Sequence, residues 1–201
     1  MTRLVTVLAA CLLLLAGCSS NAGGDTSAAA VPKSHVQVDT PQLRAAKRAA
    51  GVEPCRPGSS SSDLPDLSLA CLGGGPDVRL SRLQGPLVIN LFAQWCGPCR
   101  SEMPYYQQLH EKAKGSVRVV GVDYLDTRPD MALRLVKDTG VTYPLLADPD
   151  GRLRADFGIR GLPGLVLVKP DGSVDVQFRV VRSYAELRGL VEKGLGVRVP
   201  A

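Results

Sequence analysis

Cys96 and Cys99, with Gly97 and Pro98 between them, are the residues whose type and spacing speak most directly of chemistry. Two intervening residues bring the second sulfur within bonding reach of the first. Pro98 suits the first turn of a helix, where its missing N–H costs nothing. The motif follows a continuous apolar run from Leu87 to Ala93 and opens a segment with helical spacing through Met103, Leu109 and Ala113. A cysteine at a helix N-terminus has its thiolate stabilised by unpaired backbone N–H groups and by the positive end of the helix dipole. Cys96 is therefore expected to be the exposed attacking thiol and Cys99 the more buried resolving thiol. The chemistry is attack on a partner disulfide, a mixed disulfide, then release by Cys99. It needs no cofactor beyond the Cys96–Cys99 pair itself.

The N-terminus explains two of the other four cysteines. Arg3 precedes an apolar run, Leu4 to Ala16, of signal-peptide length and too short to span a bilayer comfortably. The run ends in Leu15-Ala16-Gly17-Cys18, which resembles the lipobox of bacterial lipoproteins and marks Cys18 for lipidation; the alternative is an ordinary secretory signal with a coincidental cysteine. Residues 1–17 are thus expected to be a lipoprotein signal peptide. A lipid-modified Cys18 would hold the protein at the membrane surface, on the extracytoplasmic side of the cell membrane. Residues 18–53, rich in Ser, Ala, Gly, Asp and Lys, read as a flexible tether with a possible short helix over Leu43 to Ala50. Residues 54–201 are expected to form the folded domain, with Pro57 to Ser62 as another flexible piece.

Cys11 leaves with the signal and Cys18 with lipid, so Cys55 and Cys71 remain, and by elimination they form a second disulfide in an oxidising compartment. A structural bridge there would stabilise the domain entry by about 3 kcal/mol. A second redox centre is the other reading, disfavoured because neither cysteine has a CxxC partner or a strand-to-helix setting. Zinc is set aside: no histidine lies near these cysteines, with His35 in the tether and His110 on a helix. No metal site is expected. Gly73-Gly74-Gly75 lacks the following Lys-Ser/Thr of a phosphate loop and reads as a turn. Asp123, Asp126, Asp130, Asp148 and Asp150 read mostly as loop and cap residues, with nothing visible in the sequence to bring two together as an acid pair. A net charge of +5 without a block of like charges gives no reason to expect nucleic acid.

The elements that must position the thiols alternate. Leu87 to Ala93 and Val117 to Val122 read as strands buried on both faces. Pro98 to Lys114, Met131 to Thr139 and Tyr184 to Lys193 read as helices. Leu165 to Lys169 and Val174 to Val180 flank Pro170-Asp171-Gly172, a hairpin signal. The expected class is α/β, a central mixed sheet flanked by helices. Aromatics make up only 4% of the chain, so aliphatic side chains must fill the core.

From Leu67 to Leu195 the chain resembles the thioredoxin superfamily, in its extracytoplasmic TlpA/ResA/CcmG (DsbE)-like branch. The resemblance centres on Leu87 through Pro104, with Trp95-Cys96-Gly97-Pro98-Cys99 followed by Glu102-Met103-Pro104. It implies a thioredoxin fold and a cis-proline loop at Gly161-Leu162-Pro163, where the Leu162 backbone would pair with an extended peptide substrate; an ordinary trans turn proline is the alternative. It places Glu102 near the thiols, where a buried carboxyl would hold or relay the proton of Cys99, as against a solvated helix glutamate. Cytoplasmic thioredoxins carry a buried aspartate where this chain has Asn90, which cannot accept that proton. Trp95 either contacts substrate or packs.

These readings converge on an enzyme, a membrane-tethered thiol–disulfide oxidoreductase. Its partners are the thiols and disulfides of exported proteins. The branch implies reduction of substrates such as apocytochrome c during cytochrome c maturation, with electrons from a membrane donor of DsbD/CcdA type. A disulfide-forming oxidase of the same fold and a non-enzymatic binding lipoprotein are the alternatives. A peroxidatic cysteine is disfavoured, because its Pro-x-x-x-Thr-x-x-Cys setting is absent.

Overall fold

The computed structural model describes residues 34–201, so the expected signal peptide and Cys18 lie outside the described residues. The described residues form one compact unit with a seven-stranded mixed sheet and five α-helices. In chain order these are α1 (Pro41–Ala49), β1 (Ser68–Cys71), β2 (Val78–Arg79), β3 (Leu87–Phe92), α2 (Gly97–Lys112), β4 (Arg118–Tyr124), α3 (Pro129–Asp138), β5 (Leu145–Asp148), α4 (Leu153–Phe157), β6 (Gly164–Val168), β7 (Val174–Phe178) and α5 (Tyr184–Leu195). The sheet order is β2-β1-β5-β4-β3-β6-β7. Strand β3 lies parallel to β4 and antiparallel to β6, and β4 is parallel to β5. This is the expected mixed sheet of a thioredoxin fold.

Every residue of β3 is buried. The period of two along a strand divides its side chains between two cores. Val88 and Phe92 join Cys99, Met103, Tyr106 and the inner faces of α3 and α5 on one side. Leu87, Ile89 and Leu91 join Leu69, Leu80, Val122 and Leu153 on the other. A strand covered on both faces explains the unbroken apolar run in the sequence.

Three expectations need correction. The stretch read as a tether is packed over its second half: Thr40 caps α1, and Leu43 and Val52 are buried in the first core. The domain therefore begins well before residue 54, because α1 has an apolar stripe and a neighbour, α3, to bury it against. Pro57 to Ser62, read as flexible, lies against the turn Leu80–Arg82, where Ser62 N–H donates to the Ser81 carbonyl at 3.0 Å. Asp123 is no loop residue; it lies within β4 and is buried. Asp148 does act as a cap, its carboxylate accepting from Arg152 N and Leu153 N at the start of α4.

Candidate active site

The loop from β3 into α2 fixes the thiol motif. Cys96 is the N-cap of α2, in extended backbone, and Pro98 occupies the first turn. The Cys96 and Cys99 sulfurs form a disulfide across a Cα–Cα distance of 5.3 Å. The Cys99 backbone N–H points at Cys96 Sγ, 3.2 Å away. That N–H is one of the orphan donors of the helix start, so a negative charge on Cys96 meets a ready partner. Cys99 is fully buried and Cys96 is 4% exposed. The order is the expected one, but far less of Cys96 is open than an exposed thiol suggests.

The preceding residues are held by the loop that follows β4. Gln94 N–H donates to Asp126 Oδ2 at 2.7 Å, and Asp126 Oδ1 accepts from Arg128 N. Trp95 is 52% exposed, and its Nε1–H donates to the Leu125 carbonyl at 3.2 Å. Leu125, also exposed, has φ 51°, an uncommon setting for a bulky side chain. Trp95 and Leu125 thus form an apolar rim beside the thiols. Asp123 sits next to Asp126; burial first, then the charge of Asp126, pushes its carboxyl well above the usual carboxylate range. Two acids do meet here, Asp123 near the end of β4 and Asp126 just beyond it.

The Leu162–Pro163 peptide is cis. Leu91 pairs with Gly164, which puts Pro163 at the sheet end where the thiol motif begins. Leu162 packs against the core that contains Cys96 and Cys99.

Beneath the motif lies a buried polar group. Glu102, one helical turn beyond Cys99, is fully buried. Its Oε2 accepts the Val181 N–H at 2.9 Å, while Oε1 has no partner. Burial is the main cause that pushes this carboxyl up to about 7, opposed by the Val181 bond and reinforced by Glu186. Asn90 Nδ2 donates to Tyr143 Oη at 3.1 Å; Asn90 Oδ1 and the Tyr106 hydroxyl are unpaired. Gly121, paired with Asn90 across the sheet, makes room for that ring: a Cβ there would come 3.0 Å from Tyr143 Cε2 and 2.6 Å from Leu145 Cδ2. Tyr143, Tyr106 and Leu125 escaped the sequence reading, and Asp126 read only as a loop or cap residue, because only the fold brings them to the motif.

The expected Cys55–Cys71 bond is present, with a Cα–Cα distance of 6.0 Å. Among the described residues no three His, Cys, Asp or Glu side chains cluster as metal ligands.

A disulfide at the first turn of a helix, fed by a central strand and flanked by a cis-proline loop, defines a thioredoxin-like domain. The chain belongs to the AhpC/TSA family, whose model matches residues 61–177. Among its relatives, the thiol:disulfide interchange protein CycY of Rhizobium leguminosarum bv. viciae is 35% identical over 101 residues, 49% of this chain and 53% of its own. The thiol-disulfide oxidoreductase ResA of Bacillus thuringiensis (strain Al Hakam) is 30% identical over 122 residues, 59% of this chain and 69% of its own. The chain therefore spans about half the length of the first relative and about two thirds of the second. The solved structure of MTB dsbF in its mixed oxidized and reduced forms superposes with a TM-score of 0.57 at 32% identity, over 64% of this chain and 94% of that one.

Proposed function

We propose that this protein is a thiol–disulfide oxidoreductase that reduces disulfides of exported proteins through Cys96 and Cys99. The observation that carries the reading is the disulfide at the N-cap of α2, with the Cys99 N–H aimed at Cys96 Sγ. In the dithiol state the Cys96 thiolate attacks one sulfur of the substrate disulfide, and the other substrate sulfur leaves. Cys99 then gives up its proton, with Glu102 as the acceptor, and attacks Cys96 Sγ. The substrate departs as a dithiol, and Cys96–Cys99 is left as the disulfide seen here. Trp95 and Leu125 offer apolar contact to the substrate chain, and the Leu162 backbone ahead of Pro163 offers it strand-like pairing.

The finer reading rests on the branch that the motif resembles. Apocytochrome c is a substrate of the expected kind, a DsbD/CcdA-type membrane protein the electron donor, and a lipid on Cys18 the tether. Reduction of insulin disulfides by the protein and by its Cys96→Ser variant tests the chemistry: turnover should vanish, and unchanged turnover would leave only a binding protein. A potential near that of thioredoxin, about −270 mV, is expected; one near about −120 mV would make the protein an oxidase.

A further inference from the structure

The second disulfide, Cys55–Cys71, lies between two unlike neighbours. Its two sulfurs sit in opposite environments. Cys71 Sγ is 2.9 Å from the ammonium of Lys47, a buried side chain of α1 that also donates to the Gly74 carbonyl at 2.8 Å. Cys55 Sγ is 3.2 Å from the Leu145 carbonyl oxygen. Negative charge is therefore welcome on Cys71 and unwelcome on Cys55. Among the described residues Lys47 makes no salt bridge to a carboxylate; Asp39, the acid that acts on it through space, is engaged with Arg44. Burial lowers its proton affinity, so a thiolate at Cys71 would supply the counter-ion this buried cation lacks.

Cys55 also has a way in. It forms part of the wall of a cavity of about 290 Å3, whose apolar floor includes Val119 and Leu146. Arg56, Lys114 and Arg118 stand on the same lining, against one acid, Glu53, which His110 already holds at 3.1 Å. The volume suits a small molecule. The surplus positive charge selects an anion.

We infer that Cys55–Cys71 is a second exchange site, opened by small anionic thiols that enter this cavity, attack Cys55 and expel Cys71 as a thiolate held by Lys47. The step balances. The incoming thiolate forms a bond to Cys55 Sγ, the Cys55–Cys71 bond breaks, and the electron pair leaves on Cys71; one thiolate is consumed and one is formed, with no net proton. A better-stabilised leaving thiolate departs faster, which is the role the Lys47 ammonium plays. The inference does not depend on the reading of Cys96 and Cys99.

The test uses the full chain with Cys11→Ser, Cys18→Ser, Cys96→Ser and Cys99→Ser, so that only this bridge can exchange. Glutathione is the anionic probe and cysteamine the cationic one, compared at equal thiolate concentration, with adducts located by peptide mass mapping. The glutathione adduct should fall on Cys55, and glutathione should react about tenfold faster than cysteamine. Lys47→Met, whose melting with the bridge intact reports whether it still folds, should slow the reaction about tenfold. An adduct on Cys71, equal rates for the two thiols, or opening no faster than global unfolding would each overturn the assignment. So would an unchanged rate in folded Lys47→Met; if that variant fails to fold, the adduct position and thiol preference decide alone.

Discussion

Replacing Glu102 by glutamine should make the protein more stable in alkali and less able to exchange disulfides. The carboxyl is fully buried, and its proton affinity rises from the ordinary 4.5 to about 7, chiefly through burial. Because the folded chain holds this proton more tightly than the unfolded one, the stability it contributes is fully present below about pH 4.5. It is lost as pH rises through about 7, and the loss amounts to roughly 3 kcal/mol. Glutamine keeps the shape and an oxygen for the Val181 N–H but cannot ionise. Its extra amide hydrogens, without acceptors, cost about 1 kcal/mol. At about pH 8 the variant should therefore gain roughly 2 kcal/mol, a rise in melting temperature of about 4–8 °C. At about pH 4 the order should reverse by about 1 kcal/mol. Thermal melts followed by circular dichroism at the two pH values, with both disulfides intact, measure this directly. A melting difference that does not change with pH would refute the reasoning, since the native carboxyl would then hold its proton no more tightly than a solvated one. Exchange by the same variant should slow on the order of a hundredfold, the ordinary worth of a general base; wild-type kinetics between about pH 5 and 9 would remove the proton-relay role.

Trp95→Ala should lower kcat/KM for a protein disulfide about tenfold and leave reduction of a small aromatic disulfide unchanged, because the indole offers contact area and not chemistry. Equal losses on both substrates would point to a disturbed motif. Gly121→Ala should cost about 1–3 kcal/mol in urea unfolding, since the added methyl meets Leu145 and the Tyr143 ring at once. A loss well below that would show that Tyr143 is free to move. Cys96→Ser and Lys47→Met complete the set, each tied to its own disulfide.

What the sequence made legible was local. The thiol motif announces itself because an apolar run, a Gly-Pro turn and a helical period lie side by side from Leu87 to Lys112. Pro170-Asp171-Gly172 announces its hairpin in the same way. The short strands β2 and β5 were missed: two or four residues, with Pro144 and Pro149 closing off β5, offer no period to read. The docking of α1 was missed because its small residues and charges look solvated until α3 is placed beside them. The chemistry around the thiols is still less local. Asn90 meets Tyr143 across 53 residues, and Lys47 meets Cys71 across 24. Residue types suggested Glu102 only through the resemblance to a family; the reason for its altered acidity is burial, which no spacing reveals.

The bond from the Val181 amide to the Glu102 carboxyl joins positions 79 residues apart. A polypeptide that emerges N-terminus first presents both cysteines of the motif long before Val181 exists. Until then Glu102 has neither the donor nor the enclosure that sets its acidity, and the sulfurs sit beside an ordinary glutamate. The reactive pair acquires its final character only when the closing segment of the chain has arrived and folded back.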